Sequence, residues 1–393
     1  MKKLAIYCDC DSDSGMLTYT LMLLQALKMN SDIQVLVISS EARNEKEESR
    51  LGKLKSASSE LVVLSRNYTK SIDAARKMCE AIVAFGANFY IPNYRYMPHL
   101  VLSLLPRTIK NIIVVHSDDD SIYSCIRFYK SAIDGVIFPS RSSFAKADSV
   151  IPSSLEKFCV PHYFSALGEP LTSSTLGNKI KIVYHGRLSH EVKKSLELLN
   201  IAKHLNNLKV PFLLRIIGSG NALDSIKKII SEESISNVEI TGQVSRDELY
   251  DLLKDSDIAL CTSIYEGFCY SVAESLSLGV VPVVYENDVL HDLIENGKNG
   301  YLLPWGRADL VAQKIQELYN NPQTLLEMSN AGVESVQSLL SAKRYADQMV
   351  CFFDLIEQSP PGKPWPLFRP RGLPYDTVFS RVVAKLGRKL NLW

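Results

Sequence analysis

The stretch Ile258-Ala259-Leu260-Cys261-Thr262-Ser263-Ile264-Tyr265-Glu266-Gly267-Phe268-Cys269-Tyr270-Ser271-Val272-Ala273-Glu274-Ser275-Leu276-Ser277-Leu278-Gly279-Val280-Val281-Pro282-Val283-Val284 reads as strand, loop, short helix and strand. Glu274 falls on a helix otherwise made of small and apolar residues, between two strands apolar enough to be buried. A buried carboxylate is rarely tolerated without partners, so this one wants hydroxyl or amide donors. Glu266 stands at the carboxyl end of the first strand beside Gly267. A glycine there lets a ligand approach the backbone amides at the helix start, a favourable place for phosphate.

The same alternation extends in both directions. Short apolar runs at 4–8, 33–38, 61–64, 89–91, 112–115 and 136–138 alternate with amphipathic helical stretches, and the style resumes at 180–184, 213–217, 238–241, 258–261 and 281–285. The fold class is therefore α/β, two doubly wound Rossmann-like domains of parallel strands covered by helices. Residues 1–165 form the first domain, 166–178 a Ser/Thr/Gly-rich linker, 179–345 the second domain, and 346–393 a closing helix and tail. Helical patterns run over 307–319 and 322–358, ahead of Ser359-Pro360-Pro361-Gly362-Lys363-Pro364, which cannot continue a helix. Two facing domains of this kind place a ligand cleft at the carboxyl ends of their strands.

With 393 residues the chain is too long for one ordinary core. Lys plus Arg number 44 against 43 Asp plus Glu, a net charge of +1 that supplies no global field for nucleic acid. The eight cysteines show no C-x-x-C pair and no zinc-finger spacing, and read as reduced packing thiols. The N-terminus is too short in apolar residues for a signal peptide, and no window has the roughly 18 uninterrupted apolar residues of a spanning helix. A cytoplasmic protein is expected.

Two carboxylates eight positions apart also suit the acid/base pair of a glycoside hydrolase, which stands roughly 5 to 9.5 Å apart, and spacing alone does not exclude that chemistry. The run E-G-F-C-Y-S-V-A-E, continued by S-L-G-V-V-P-V-V, resembles the E-x7-E signature of retaining glycosyltransferase family 4, whose fold is GT-B. The resemblance implies that Glu274 holds the nucleotide's ribose and that Glu266 contacts the transferred sugar, with Gly267, Phe268 and Cys269 lining the donor. The segment His291 to Leu302 is similar to the family's segment ending in N-G-x-L, while Asn287-Asp288 replaces the glycine pair usually ahead of it.

Further along the resemblance, Gly186-Arg187-Leu188 matches the family's G-R-L, followed here by extra residues before Lys193-Lys194-Ser195, with Ser195 where glycine is usual. Fixed cations at a strand end can stabilise a departing nucleoside diphosphate without a metal, and the implied candidates are Arg187 and one lysine. Alignment on Leu196-Glu197-Leu198-Leu199 favours Lys194 over Lys193, and Gly186 joins the nucleotide-binding set. From the first domain the family's glycine-rich loop corresponds to Ser14-Gly15-Met16, and its histidine to His116, which would contact the sugar. The structural alternatives are an interdomain salt bridge for Arg187 and a satisfied core residue for His116.

Asp9-Cys10-Asp11-Ser12-Asp13 and Asp118-Asp119-Asp120 invite a metal reading, but the first lacks the glycine and glutamate a calcium loop needs, and solvated loop acids are the plainer account. The mixed charges of Glu41 to Lys55 read as an exposed helix or loop. In the tail, Phe379, Val382, Val383, Leu386, Leu390 and Trp393 fall at helical spacing with basic residues on other faces, a helix suited either to an anionic membrane surface or to packing on the first domain. The whole implies a metal- and cofactor-independent retaining transfer of a hexose-type sugar. The donor would be a UDP- or GDP-sugar and the acceptor a glycan or lipid-linked molecule in polysaccharide or glycoconjugate synthesis. The alternatives are a sugar-nucleotide epimerase, a phosphorylase, or a non-catalytic sugar-nucleotide-binding partner.

Overall fold

The computed structural model describes residues 1–11, 15–29, 32–66, 72–93, 97–117, 120–164, 177–235, 237–339 and 341–359. The chain divides into two compact units, Met1–His162 together with the chain from Ala342, and Tyr163–Ser341. Most of the 166–178 linker and all of the amphipathic tail lie outside the described residues.

The first unit is built on seven parallel strands: β1 (Lys2–Tyr7), β2 (Ile33–Ser40), β3 (Glu60–Leu64), β4 (Phe89–Ile91), β5 (Lys110–Val114), β6 (Gly135–Phe138) and β7 (Glu156–Cys159). Their order is β3-β2-β1-β4-β5-β6-β7. Continuous apolar runs such as Leu4-Ala5-Ile6 are wholly buried, as strands covered on both faces require. The direction of winding reverses between β1 and β4, the place where such sheets bind ligands.

The second unit carries six parallel strands: β8 (Ile180–His185), β9 (Phe212–Ile217), β10 (Val238–Gly242), β11 (Ile258–Ala259), β12 (Val281–Tyr285) and β13 (Tyr301–Leu303), in the order β10-β9-β8-β11-β12-β13. Here the reversal falls between β8 and β11, so the residues after His185 and after Ala259 flank one switch point.

Two strands escape the sequence pattern. β7 is a partly exposed edge strand of Glu-Lys-Phe-Cys, too polar to read as an apolar run, and β13 has only three residues. The helical stretch from 322 is also divided, into Pro322–Leu339 and Ala342–Gln358. The second piece packs in the first unit because its stripe of Phe352, Phe353 and Ile356 is fully buried there. Phe353 stacks on Phe89 at 4.6 Å between ring centres, and Lys2 pairs with Asp354 at 3.0 Å. Gly135 admits this helix, since a Cβ there would stand 2.6 Å from Ile356 Cδ1.

The mixed-charge run folds as the helix Glu45–Ala57, N-capped by Asn44. Its Glu47 is buried and paired with Arg43 at 2.8 Å and Arg66 at 3.0 Å, an internal network rather than a wholly solvated face. Among the described residues no helix is long and apolar enough to cross a membrane.

Candidate functional site

Beyond β11 the chain runs through Cys261 to Cys269 and enters the helix Tyr270–Ser277. Cys269 begins that helix with φ of 66°, a left-handed conformation uncommon outside glycine, and its side chain makes no capping hydrogen bond. The helix is buried from Val272 to Ser277, and Glu274 is buried with it.

Glu274 faces two bases. One carboxylate oxygen stands 3.8 Å from Arg246 Nη2, and the other stands 3.6 Å from His185 Nδ1. Burial pushes its acid constant up to about 7 even though Arg246 pulls the other way. His185 donates from Nε2 to the Ser271 carbonyl at 3.0 Å, which leaves Nδ1 as the acceptor facing Glu274. Burial holds that imidazole down at about 4, partly offset by the Ser271 carbonyl and reinforced by Lys193, so it is neutral near pH 7. Glu274 is thus a buried acid whose ionised form further hydrogen-bond donors would favour.

Glu266 has a different partner, the ammonium of Lys193. Burial disfavours the charge on Lys193, but the Glu266 carboxylate outweighs it and raises the lysine above its ordinary value. The sequence alignment favours Lys194 for the cationic role, whereas the structure brings Lys193 to Glu266. Lys194 turns the chain with φ of 47° and makes no ion pair among the described residues.

The reason lies in the extra residues before the lysines. Ser189 and Ser195 close them into a small loop: Ser189 N donates to Ser195 Oγ at 3.0 Å, Ser195 N to the Ser189 carbonyl at 3.1 Å, and Lys193 N to Ser189 Oγ at 3.1 Å. This explains why serine stands where glycine is usual. The loop is then tied to the chain after β11, through Thr262 Oγ1 to the Lys193 carbonyl at 2.6 Å and Ile264 N to the Val192 carbonyl at 3.0 Å. Those bonds aim Lys193 at Glu266.

Gly186 has φ of 146° and is exposed at the end of β8 beside Arg187, whose guanidinium is also exposed and makes no ion pair among the described residues. Two glycines that pattern reading passed over make this turn possible. A Cβ on Gly218 would stand 1.9 Å from the Gly186 carbonyl oxygen, and one on Gly220 would stand 2.0 Å from that of Leu188. Gly218-Ser219-Gly220 directly after an apolar run is the signal that could have found them. Arg246 was findable too, because Ser245 and Glu248 mark a helix start that fixes it in the first turn.

Asn287, in place of the family's glycine pair, caps the short helix Asp288–Asp292 and donates to the Ser263 carbonyl at 3.3 Å. Gly267 and Phe268 are buried, with the Phe268 ring edge-on to Tyr270 at 5.0 Å. Cys261 and Cys269 bring their sulfurs to 3.8 Å. A hydrogen bond from Cys269 lowers the Cys261 thiol to about 7, against the effect of burial, while Cys269 itself is raised.

In the first unit, Gly15 is exposed at the start of the helix Gly15–Leu27, after β1, and Met16 is its second residue, so the expected loop is helical from Gly15 on, while Ser14 lies outside the described residues. His116 follows β5, with Nε2 at 2.9 Å from Asn93 Oδ1 and the ring edge-on to Tyr19 at 4.6 Å. Asn93 in turn donates to Thr20 Oγ1 at 2.9 Å. Burial, with His99 adding to it, holds His116 at about 3. Asp9 accepts from Ser40 Oγ at 2.5 Å and stands 3.6 Å from Arg66, so it is a partnered rather than a solvated acid; Asp118 and Asp119 lie outside the described residues.

Residues 173–335 match the family model described as Glycosyl transferases group 1. Among curated proteins the chain is 22% identical over 151 residues to the putative glycosyltransferase EpsD of Bacillus subtilis, covering 38% of this chain and 39% of that protein. It is 27% identical over 178 residues to the poly(ribitol-phosphate) alpha-N-acetylglucosaminyltransferase of Staphylococcus aureus, 44% of this chain and 35% of that protein. The chain thus matches well under half the length of these relatives. Among solved structures it resembles S. aureus TarM in complex with fondaparinux, alpha-GlcNAc-glycerol and UDP, with a TM-score of 0.75 at 14% identity over 90% of this chain and all of that one. It also resembles Anabaena Alr3699/HepE in complex with UDP and glucose, with a TM-score of 0.72 at 14% identity and the same coverage. These likenesses show the GT-B fold. Residues 173–335, part of the second unit, are thus similar to the glycosyl transferases group 1 family.

Proposed function

We propose that this chain is a retaining glycosyltransferase that moves a hexose-type sugar from a nucleoside-diphosphate donor to a glycan or lipid-linked acceptor in glycoconjugate synthesis. The observation that carries the reading is the partnering of the two glutamates. Glu274 is buried opposite Arg246 and neutral His185, while Glu266 sits at the helix entry on Lys193. A hydrolytic acid/base pair gains little from a lysine held on one carboxylate; a diphosphate site gains a cation.

In this reading Glu274 accepts the ribose hydroxyls and ionises as it does so. Arg187 and Lys193 take the charge that develops on the departing diphosphate, assisted by the backbone amides from Gly267 to Tyr270 at the helix start. Glu266 exchanges Lys193 for the hydroxyls of the sugar. The reaction needs neither metal nor cofactor. UDP is favoured over GDP because it is the nucleotide in the TarM and HepE complexes. A polyol-phosphate or polysaccharide acceptor fits the names of the relatives, which include a poly(glycerol-phosphate) alpha-glucosyltransferase of B. subtilis. A peripheral membrane location through the tail remains part of the proposal; truncation at 359 followed by liposome sedimentation tests it, and unchanged binding removes it.

A thermal-shift panel of sugar nucleotides, followed by product analysis with the ligand that stabilises most, tests the function. Stabilisation by a UDP-sugar and transfer with retained configuration are expected. An altered sugar nucleotide made without acceptor, or a requirement for phosphate, would turn the assignment to an epimerase or a phosphorylase.

A further inference from the structure

We propose that Cys261, Cys269 and Glu266 form a binding site for a thiophilic divalent cation of the zinc class, set into the donor-site loop. Their ligand atoms all lie within 4.8 Å of one another. A tetrahedral centre with metal–sulfur bonds of about 2.3 Å sets its sulfurs about 3.8 Å apart. The two sulfurs stand at that separation, 3.8 Å, and both thiols are buried. Two thiolates with one carboxylate select zinc-like cations over magnesium or calcium, which require oxygen ligands. Three protein ligands leave the fourth position for water or a ligand oxygen.

Cys269 reaches the cluster only because its backbone takes φ of 66°. Such a conformation in a residue other than glycine is strained, and strained residues cluster at functional positions. In that conformation the thiol lies beside Cys261 and the Glu266 carboxylate. Cation entry releases two thiol protons to solvent and leaves the net charge of the cluster with Lys193 unchanged. Its consequence is a change of partners, because the cation and Lys193 compete for Glu266. Resting on the donor-site reading above, a cation on Glu266 takes that carboxylate from the sugar hydroxyls and so opposes binding of the sugar nucleotide while bound.

The test is a cadmium titration of the full chain, reduced with a phosphine, followed by thiolate-to-cadmium charge-transfer absorption. The band is expected to saturate at one equivalent, with release of about two protons and displacement by zinc. Cys261→Ser and Cys269→Ser should each weaken the affinity at least tenfold. Glu266→Gln, which keeps both thiols, should retain the band at reduced affinity. No band in the wild type, or a band that persists in the double serine variant, overturns the site; unaltered affinity in Glu266→Gln overturns the carboxylate's part. In a second arm, zinc should raise the wild-type Kd for the UDP-sugar that stabilises the protein most and have no effect on that Kd in Cys261→Ala. A wild-type Kd indifferent to zinc overturns the competition. If UDP does not bind at all, the donor-site reading fails while the cadmium result still stands.

Discussion

At the carboxyl ends of β4 and β5 the first unit gathers Asn93 and His116 against Tyr19 and His162, neutral groups packed on one another, with the Asn93 amide bridging His116 and Thr20. At the ends of β8 and β11 the second unit gathers Lys193, Glu266, Glu274 and Arg246, charged or half-charged groups, around a neutral His185. Both clusters sit beside the switch point of a doubly wound sheet, so topology alone does not separate them. The contents do: one strand end holds neutral groups, with His116, Asn93 and Thr20 bonded to one another, and the other holds a carboxylate that burial keeps near pH 7. A ligand gains most where buried charge lacks full compensation.

The largest effect that would sharpen this contrast is expected from Glu274→Ala. Removing a charged acceptor of ribose hydroxyls should weaken UDP binding on the order of a hundredfold, read by calorimetry on protein shown folded by circular dichroism. Wild-type affinity in that variant would place the nucleotide elsewhere.

Lys193→Ala should follow, with a loss of about tenfold or more in UDP affinity from one charge-assisted contact, against little change for Lys194→Ala. The reverse ranking would restore the reading from alignment and reduce the loop 189–195 to scaffolding.

The pH response comes next. Glu274 is held up at about 7 in the free protein, and hydroxyl donors favour its ionised form, so binding lowers that constant. UDP affinity should therefore rise about tenfold per unit as pH increases towards 7 and level off above it. The uncomplexed fold shows the opposite trend for this group, losing stability as pH rises from the ordinary carboxylate range to about 7. Calorimetry in buffers of different ionisation enthalpy should detect the released proton, and a flat profile would break the link between burial and binding.

The smallest effect on affinity is expected from His116→Ala: none on UDP binding, with about 1–3 kcal/mol lost in stability from the orphaned Asn93 amide and the unpacked Tyr19 ring, read by thermal melting. Loss of transfer with unchanged stability would instead give His116 the sugar contact that the family resemblance implies.

Much of the architecture was legible because a strand buried on both faces must be a continuous apolar run, and eleven such runs with intervening helices admit few topologies. β7 was illegible because an exposed edge strand need not be apolar, as Glu156 and Lys157 illustrate. The break between 339 and 342 was hidden because both flanking segments keep helical periodicity, and only the buried Phe352 and Phe353 reveal that the second helix belongs to the first unit.

Glu266 and Glu274 could be placed at a strand end and on the following helix, and Arg187 at the end of another strand, from the amino-acid order alone, because local hydrophobic periods position residues along their own element. Only the tertiary structure decided that Lys193 meets Glu266, that Arg246 and His185 bracket Glu274, and that Gly218 and Gly220 make room for the turn at Gly186. Those contacts join residues from 28 to 89 positions apart, and such distant pairing is set by sheet order, loop hydrogen bonds and close backbone packing that no local pattern encodes.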